Sequence, residues 1–239
     1  MAAYFITGPE GSGTTALVQA LTNHPSVVKG DAARYGHESL HASAGAQLLP
    51  AALMSTHRAH RFDLADPEGA RRLLRANSAA LLAAQPGTKA IFFKYSTPAF
   101  RPIRLWPVFL PLFELPDFRM VVIWRHPLDS IHSAFRRFYQ GRHPVLGFLA
   151  AARSHLWATR HIRWQLARSP RDRYVSLRYE ALVGRPEATL RALYAFADLD
   201  YCPAEHLLPG RGFSNENGKW KESLRKAIRR ATPAPGRGQ

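Results

Sequence analysis

The sequence predicts an α/β protein of three layers, with helices on both sides of a central parallel sheet. Three observations lead there. Apolar runs of strand length alternate along the chain with segments of helical periodicity. Two of those runs, Tyr4-Phe5-Ile6-Thr7 and Met120-Val121-Val122-Ile123-Trp124, pass through a tight turn straight into a helix. The length of 239 residues is enough to bury one sizeable core. Strands that alternate with helices pair in parallel, and the crossing helices must cover both faces of the sheet.

The elements follow in chain order. The first strand, Tyr4–Thr7, is a bare apolar run, as a strand buried on both faces should be. A glycine-rich turn leads from it to a helix at Gly13–Asn23 that begins on two threonines. A short strand is expected near Val27–Lys29 and a helix over Pro67–Ala84, rich in Ala, Leu and Arg. Strands follow at Ala90–Tyr95 and Met120–Trp124. The next helix, Leu128–Tyr139, is opened by Pro127, whose missing N–H costs little at a helix start. A long helix at Val145–Ala167, a strand at Arg173–Leu177 and a helix at Pro186–Ala197 complete the pattern. Residues 30–63, rich in His, Ala and small polar residues, and residues 100–116, rich in aromatics and proline, show no regular period. They are assigned to an acceptor side, the second as a hydrophobic lid, with an irregular core loop as the alternative, since proline keeps it out of regular structure. The domain is set at residues 1–228, and residues 229–239 form a basic tail expected to be disordered.

Composition narrows the partners. The chain carries 33 basic and 17 acidic residues, a net charge of +16. That suits a polyanionic ligand and an acidic acceptor. A surface that holds RNA without specificity would give the same number, but no RNA-binding fingerprint or helix-turn-helix pattern accompanies the arginines, so no specific nucleic acid is expected. The single cysteine, Cys202, excludes an internal disulfide and is assigned to packing. No apolar run reaches transmembrane length and the chain enters its first strand without a leader. The expectation is a cytoplasmic protein with no transmembrane segment and with peripheral membrane contact left open. No metal is expected: His57 and His60 lie three apart, but no carboxylate or cysteine completes a ligand set. His155 and His161 are placed on a helix surface.

Two motifs carry chemistry. In the first, Gly8, Gly11 and Gly13 let the backbone turn its N–H groups towards an anion. Thr14 and Thr15 add hydroxyls in the first helical turn, where the free amides and the helix dipole already favour phosphate. The spacing from Gly8 to Gly13 matches a Walker A loop, but Thr14 stands where that motif needs lysine, which argues against ATP or GTP hydrolysis. A glycine-rich turn without a ligand would look the same. In the second, Arg125 leaves the end of a strand and Ser133 follows eight residues later inside the next helix. Arginine grips phosphate with a planar fork and serine adds a hydroxyl. Asp129 shares a helix face with Ser133, and a structural Arg125–Asp129 pair is the other use of these residues.

Taken together, the blocks resemble a sulfotransferase that uses 3′-phosphoadenosine-5′-phosphosulfate (PAPS). That family is similar in fold to the P-loop NTPases. Its first loop, of pattern (Lys/Arg)-Ser-Gly-Thr-Thr, holds the 5′-phosphosulfate; here it reads Gly11-Ser12-Gly13-Thr14-Thr15. Its second loop holds the 3′-phosphate through an arginine, a proline two later and a serine eight later, which Arg125, Pro127 and Ser133 match. The strand, Tyr-Glu-x-Leu turn and Pro-Glu helix start of the family correspond to Tyr174–Leu177, Tyr179-Glu180-Ala181-Leu182 and Pro186-Glu187. Arg211-Gly212 and Gly218-Lys219-Trp220-Lys221 are loosely similar to its basic C-terminal segment over the nucleotide. The resemblance thus implies cofactor contacts from Gly11, Ser12, Gly13, Thr14, Thr15, Arg125, Ser133, Tyr179, Arg211 and Gly212. It implies sulfuryl transfer without a metal, leaving 3′,5′-adenosine bisphosphate (PAP).

The catalytic residues depart from the family. Its loop lysine or arginine is Gly11 here, with Glu10 beside it. The histidine of the cytosolic small-molecule enzymes is replaced by Ser96, and the glutamate of the tyrosylprotein enzymes by Ala32, next to Asp31. The glutamate that heparan-type enzymes place before their lysine is Phe93. Lys94 is therefore assigned the missing positive charge, against the alternative of a solvated strand-end lysine. Asp31 is assigned as base, with Glu10, His37 and Glu38 behind it. The loops lie closer to the carbohydrate and tyrosylprotein types, so the expected acceptor is the hydroxyl or amine of a glycan or lipid-linked sugar. Gly11 and Ser96 keep open a protein that binds PAPS or PAP without catalysis. A P-loop kinase of small molecules is disfavoured by Thr14 and by the Arg125 block.

Overall fold

The computed structural model describes residues 2–21, 23–27, 76, 79, 83, 85–94, 118–138, 144–203, 218, 221 and 222. Within them the order is β1 (Ala2–Thr7), α1 (Thr14–Leu21), β2 (Ala90–Lys94), β3 (Phe118–Trp124), α2 (Pro127–Phe138), α3 (Pro144–Leu166), a 3-10 turn (Arg171–Arg173), β4 (Tyr174–Arg178), α4 (Tyr179–Gly184) and α5 (Pro186–Ala197). The four described strands form one sheet in the order β2-β1-β3-β4. Every pairing is parallel: Ile6 lies opposite Lys94 on one side and Val121 on the other, and Trp124 opposite Arg178. The predicted α/β fold with a parallel sheet is the observed one.

Burial explains the sequence pattern. Tyr4, Phe5 and Ile6 of β1 and Met120 to Ile123 of β3 are all buried, so both faces of the inner strands are covered. Tyr4, Ile6, Phe92, Val121, Ile123 and Leu177 join Leu17, Leu21, Leu182, Leu190 and Leu193 in one core cluster, which places α1, α4 and α5 on one face. Phe5, Met120 and Val122, which alternate with that row, are buried on the other face. Strand β4 lies at the edge of the described sheet and mixes exposed Ser176 and Arg178 with buried Leu177.

The end of α5 is tied to the sheet by polar side chains. The last carbonyls of a helix have no partner within it. Tyr4 Oη donates to the Ala197 carbonyl at 2.8 Å, and Arg119 Nη1 to the Phe196 carbonyl at 2.8 Å. Burial pushes the Tyr4 phenol up to about 12, so it stays a donor at neutral pH. The αL residue Asp198 (φ 52°) ends the helix. His24, fully buried, clips the neighbouring turn: its Nδ1 accepts from Ser26 N–H at 3.0 Å, which leaves Nε2 to donate to the Asp200 carbonyl at 2.9 Å.

Helices α2 and α3 pack against each other through Ile131, Ala134 and Ala151, with Phe135 alongside. The buried side of α3 is Gly147, Ala151, Ser154, Ala158, Ile162 and Gln165, and its small residues admit close approach. Cys202 is buried in the main core, as its assignment to packing requires.

Several elements differ from the sequence-based expectation. Of the short strand expected near Val27–Lys29, Val27 makes a parallel bridge to Ala90, and the other two residues lie outside the described ones. Helix α1 stops at Leu21, where the amides of Asn23 and His24 bond three residues back in tight turns. The Tyr-Glu-x-Leu segment is a short helix, not a turn. His155 is half-buried on α3 rather than open to solvent: its Nδ1 is buried, and burial holds the imidazole below its ordinary range. Residues 76, 79 and 83 of the expected Pro67–Ala84 helix are helical. The two acceptor-side segments and the basic tail lie outside the described residues. Among the described residues no helix is long and apolar enough to cross a membrane.

Candidate active site

The chain runs from β1 to β2 on one side of the sheet, then crosses to β3 and β4 on the other. The strand order therefore reverses between β1 and β3, and ligands of parallel sheets bind outside the carboxyl ends of the strands at such a point. Both sequence motifs stand there. Residues 8–13 join β1 to α1, and Arg125 and His126 join β3 to α2.

The first loop is shaped by backbone. Gly11 and Gly13 have φ of 78° and 99°, which side chains rarely tolerate. A Cβ at Gly11 would also run into the Ser130 carbonyl and lie 3.0 Å from Ser133 Cβ. A Cβ at Gly13 would run into the Tyr179 ring. The loop is tightened by the Ser12 N–H to Pro9 carbonyl bond at 3.1 Å, and the helix starts with Leu17 N–H to Gly13 carbonyl, also 3.1 Å. Ser12 is fully buried and its hydroxyl has no hydrogen-bond partner among the described residues. Thr14 is buried and Thr15 half-buried in the first turn, whose amides have no partner within the helix.

The second loop is built from side chains, and it grips the first. Arg125 Nη1 donates to the Gly11 carbonyl at 3.1 Å, and its guanidinium stands 4.6 Å from the centre of the Tyr179 ring. Ser130 Oγ donates to the Glu10 carbonyl at 2.7 Å. Gly13, Tyr179, Arg125 and Gly11 thus close a circuit from the first loop through α4 and the second loop back to the first. Glu180 Oε1 accepts from His126 N–H at 2.7 Å, which puts a carboxylate at the positive end of α2. Asp129, 6 % exposed, accepts from Gly218 N–H at 2.6 Å and lies 3.6 Å from His126 Nδ1. That bond brings the beginning of the Gly218–Lys221 block to the head of α2.

The structure brings together Gly11, Ser12, Gly13, Thr14, Thr15, Arg125, Ser133 and Tyr179. Lys94 is the last residue of β2, opposite Ile6, so its backbone stands at the same edge of the sheet. Asp31, Arg211 and Gly212 lie outside the described residues. Ser130 and the part played by Glu180 are not marked by either motif: each reaches a backbone group distant in sequence, Ser130 the Glu10 carbonyl and Glu180 the His126 amide, and spacing carries no signal for such bonds.

The residues present fit a phosphate or sulfate group. They offer a loop with two positive-φ glycines, the first-turn amides of α1, a buried hydroxyl without a partner and an arginine held by a ring. The loop itself has no cation: Thr14 replaces the Walker lysine, and the position of the family's basic residue is a glycine that cannot take a side chain without moving Ser130.

Comparison with known proteins gives the same family. The profile of the sulfotransferase family matches residues 4–203. Among solved structures, the sulfotransferase domain from the curacin biosynthetic pathway is 20 % identical, with a TM-score of 0.57 over 88 % of this chain and 78 % of that one. The sulfotransferase domain from the Synechococcus PCC 7002 olefin synthase is 19 % identical, with a TM-score of 0.52 over 98 % and 96 %. A sulfotransferase from Alicyclobacillus acidocaldarius is 16 % identical, with a TM-score of 0.51 over 96 % and 92 %. No curated protein sequence matches. The structural likenesses speak for the fold alone; the profile spans most of the chain, and with it the chain belongs to the sulfotransferase family.

Proposed function

We propose that the protein transfers a sulfuryl group from PAPS to a hydroxyl or amine of an acceptor, and that the acceptor is a glycan or lipid-linked sugar. The observation that carries this reading is the interlock at the switch point, where Arg125 bonds Gly11 and stacks on Tyr179. It holds an anion loop and an arginine side by side, as a ligand with phosphates at both ends of a nucleoside requires. When bound, PAPS supplies the sulfuryl group and a good leaving phosphate.

Gly11, Ser12, Gly13, Thr14 and Thr15 are proposed to hold the 5′ end, mainly by amides and hydroxyls. Arg125 and Ser133 are assigned to the 3′-phosphate, and Tyr179 fixes the plane of the guanidinium. Arg211 and Gly212 are assigned to the nucleotide by resemblance. Lys94 is proposed as the charge the loop lacks. It would matter most as negative charge grows on the leaving phosphate. Asp31 is proposed to take the acceptor's proton.

The test is incubation with PAPS or ATP and an acceptor extract, following release of PAP or ADP. PAP release alone is expected; ADP release would overturn the reading in favour of a kinase. Lys94→Ala should lower kcat roughly a hundredfold while PAP binding is kept. Turnover unchanged in Lys94→Ala would remove its assignment. The second reading, a protein that binds PAPS without turning it over, is favoured by the steric closure at Gly11. PAP binding with no PAP release from any acceptor extract would establish it.

A further inference from the structure

The outward side of α3 is unlike the surface of a water-facing helix. At 3.6 residues per turn, positions 145, 146, 149, 153, 156, 160, 163 and 164 fall within roughly a 100° sector. That sector lies opposite the buried row from Gly147 to Gln165. It carries Val145 at 60 % exposure, Leu146 at 64 %, Leu149 at 57 %, Leu156 at 58 % and Trp164 at 44 %. The remaining positions are Arg153, Arg160 and Arg163, all exposed, and the helix has no acidic residue.

We infer that this side of α3 lies on an anionic phospholipid bilayer, with the helix in the plane of the interface. Aliphatic side chains more than half exposed gain by entering the acyl boundary. Arginines among them can bury their stems and keep their charge at headgroup level. Trp164 has the amphipathic ring that interfaces favour, and Arg168 stands 4.0 Å from its centre. Charge decides between occupants. A second copy packed helix to helix on the same side would bring two sets of arginines together, and neither helix carries an acid to answer them, on chains that each carry +16. An anionic lipid surface supplies the opposite charge at about 1 kcal/mol per arginine near the surface. This inference does not rest on the sulfuryl-transfer reading, and its failure would leave that reading untouched.

The experiment is co-sedimentation of the full chain with vesicles of phosphatidylcholine alone and of phosphatidylcholine with an equal part of phosphatidylglycerol. Binding to the mixed vesicles and little to the neutral ones is expected. Arg153→Gln with Arg160→Gln should weaken it roughly thirtyfold. Leu149→Ser with Leu156→Ser, which leaves the charge intact, should weaken it roughly tenfold or more. Arg171→Gln with Arg185→Gln removes the same charge from exposed positions elsewhere and should change it far less. Thermal unfolding checks that each variant is folded. Absence of binding to the mixed vesicles overturns the proposal. So does an equal loss in the Arg153/Arg160 and Arg171/Arg185 pairs, which would show net charge without a site, or no loss in the leucine pair. Retention on RNA with none on vesicles would assign the basic surface to nucleic acid instead.

Discussion

The two loops at the head of the sheet are made by opposite means. The first, between β1 and α1, is made of backbone: two positive-φ glycines, free helix amides and one buried hydroxyl. The second, between β3 and α2, is made of side chains: Arg125 on Tyr179, Ser130 on the first loop, Glu180 on the His126 amide. A backbone loop sets the place of an anion and tolerates almost no substitution, because shape is all it has. A side-chain loop sets charge and selectivity, and can be weakened in steps. In this chain the division is sharper than the family pattern implies, since Gly11 stands where that pattern has its cation.

Substitutions should separate the two kinds of loop. The largest effect is expected at Gly11→Ala, which meets both an αL backbone and the Ser130 carbonyl. A loss of about 2–4 kcal/mol in stability is expected, with loss of PAP binding. Denaturant unfolding measures the first and calorimetry the second; near-normal values for both would show that the loop is looser than described. Next is Arg125→Ala, expected to weaken PAP by about 1.5–3 kcal/mol, one to two decades. Adenosine 5′-phosphosulfate, which lacks the 3′-phosphate, should lose little. An equal loss for both ligands would take the 3′-phosphate away from Arg125. Ser133→Ala should cost PAP about 0.5–1.5 kcal/mol by the same selective pattern.

The smallest effect is one of pH and lies away from both loops. Burial holds the His155 imidazole below its ordinary range, so below about pH 6.5 the unfolded chain binds more protons than the folded one. Stability should therefore fall on acidification through that window. His155→Gln should flatten the fall, read from thermal unfolding across pH. A slope that is the same with and without His155 would assign it to other groups.

Much of this was legible because the signals are local. Continuous apolar runs mark strands buried on both faces, and β1 and β3 are such runs. Pro127 and Pro186 mark helix starts, and both α2 and α5 begin on them. The meeting of Gly11 and Arg125 was legible only through the resemblance, because a bond across 114 positions leaves no trace in spacing. Helix α4 was read as a turn because six residues are too few for a period to show. The burial of His155 depends on what packs beside α3, and a histidine on an amphipathic helix does not declare its side.

The central claim is that the two loops form one site for a nucleoside phosphorylated at both 3′ and 5′ positions. Thermal unfolding of nucleotide-free protein with saturating 3′,5′-adenosine bisphosphate tests it most directly. At a hundredfold excess over Kd the folded state should gain about 2.7 kcal/mol, a rise in Tm of roughly 5–10 °C. Adenosine 5′-monophosphate at the same concentration should give a clearly smaller rise, and Arg125→Ala should bring the two ligands together. A Tm unmoved by the bisphosphate, or moved equally by both nucleotides in the unaltered protein, would contradict the account.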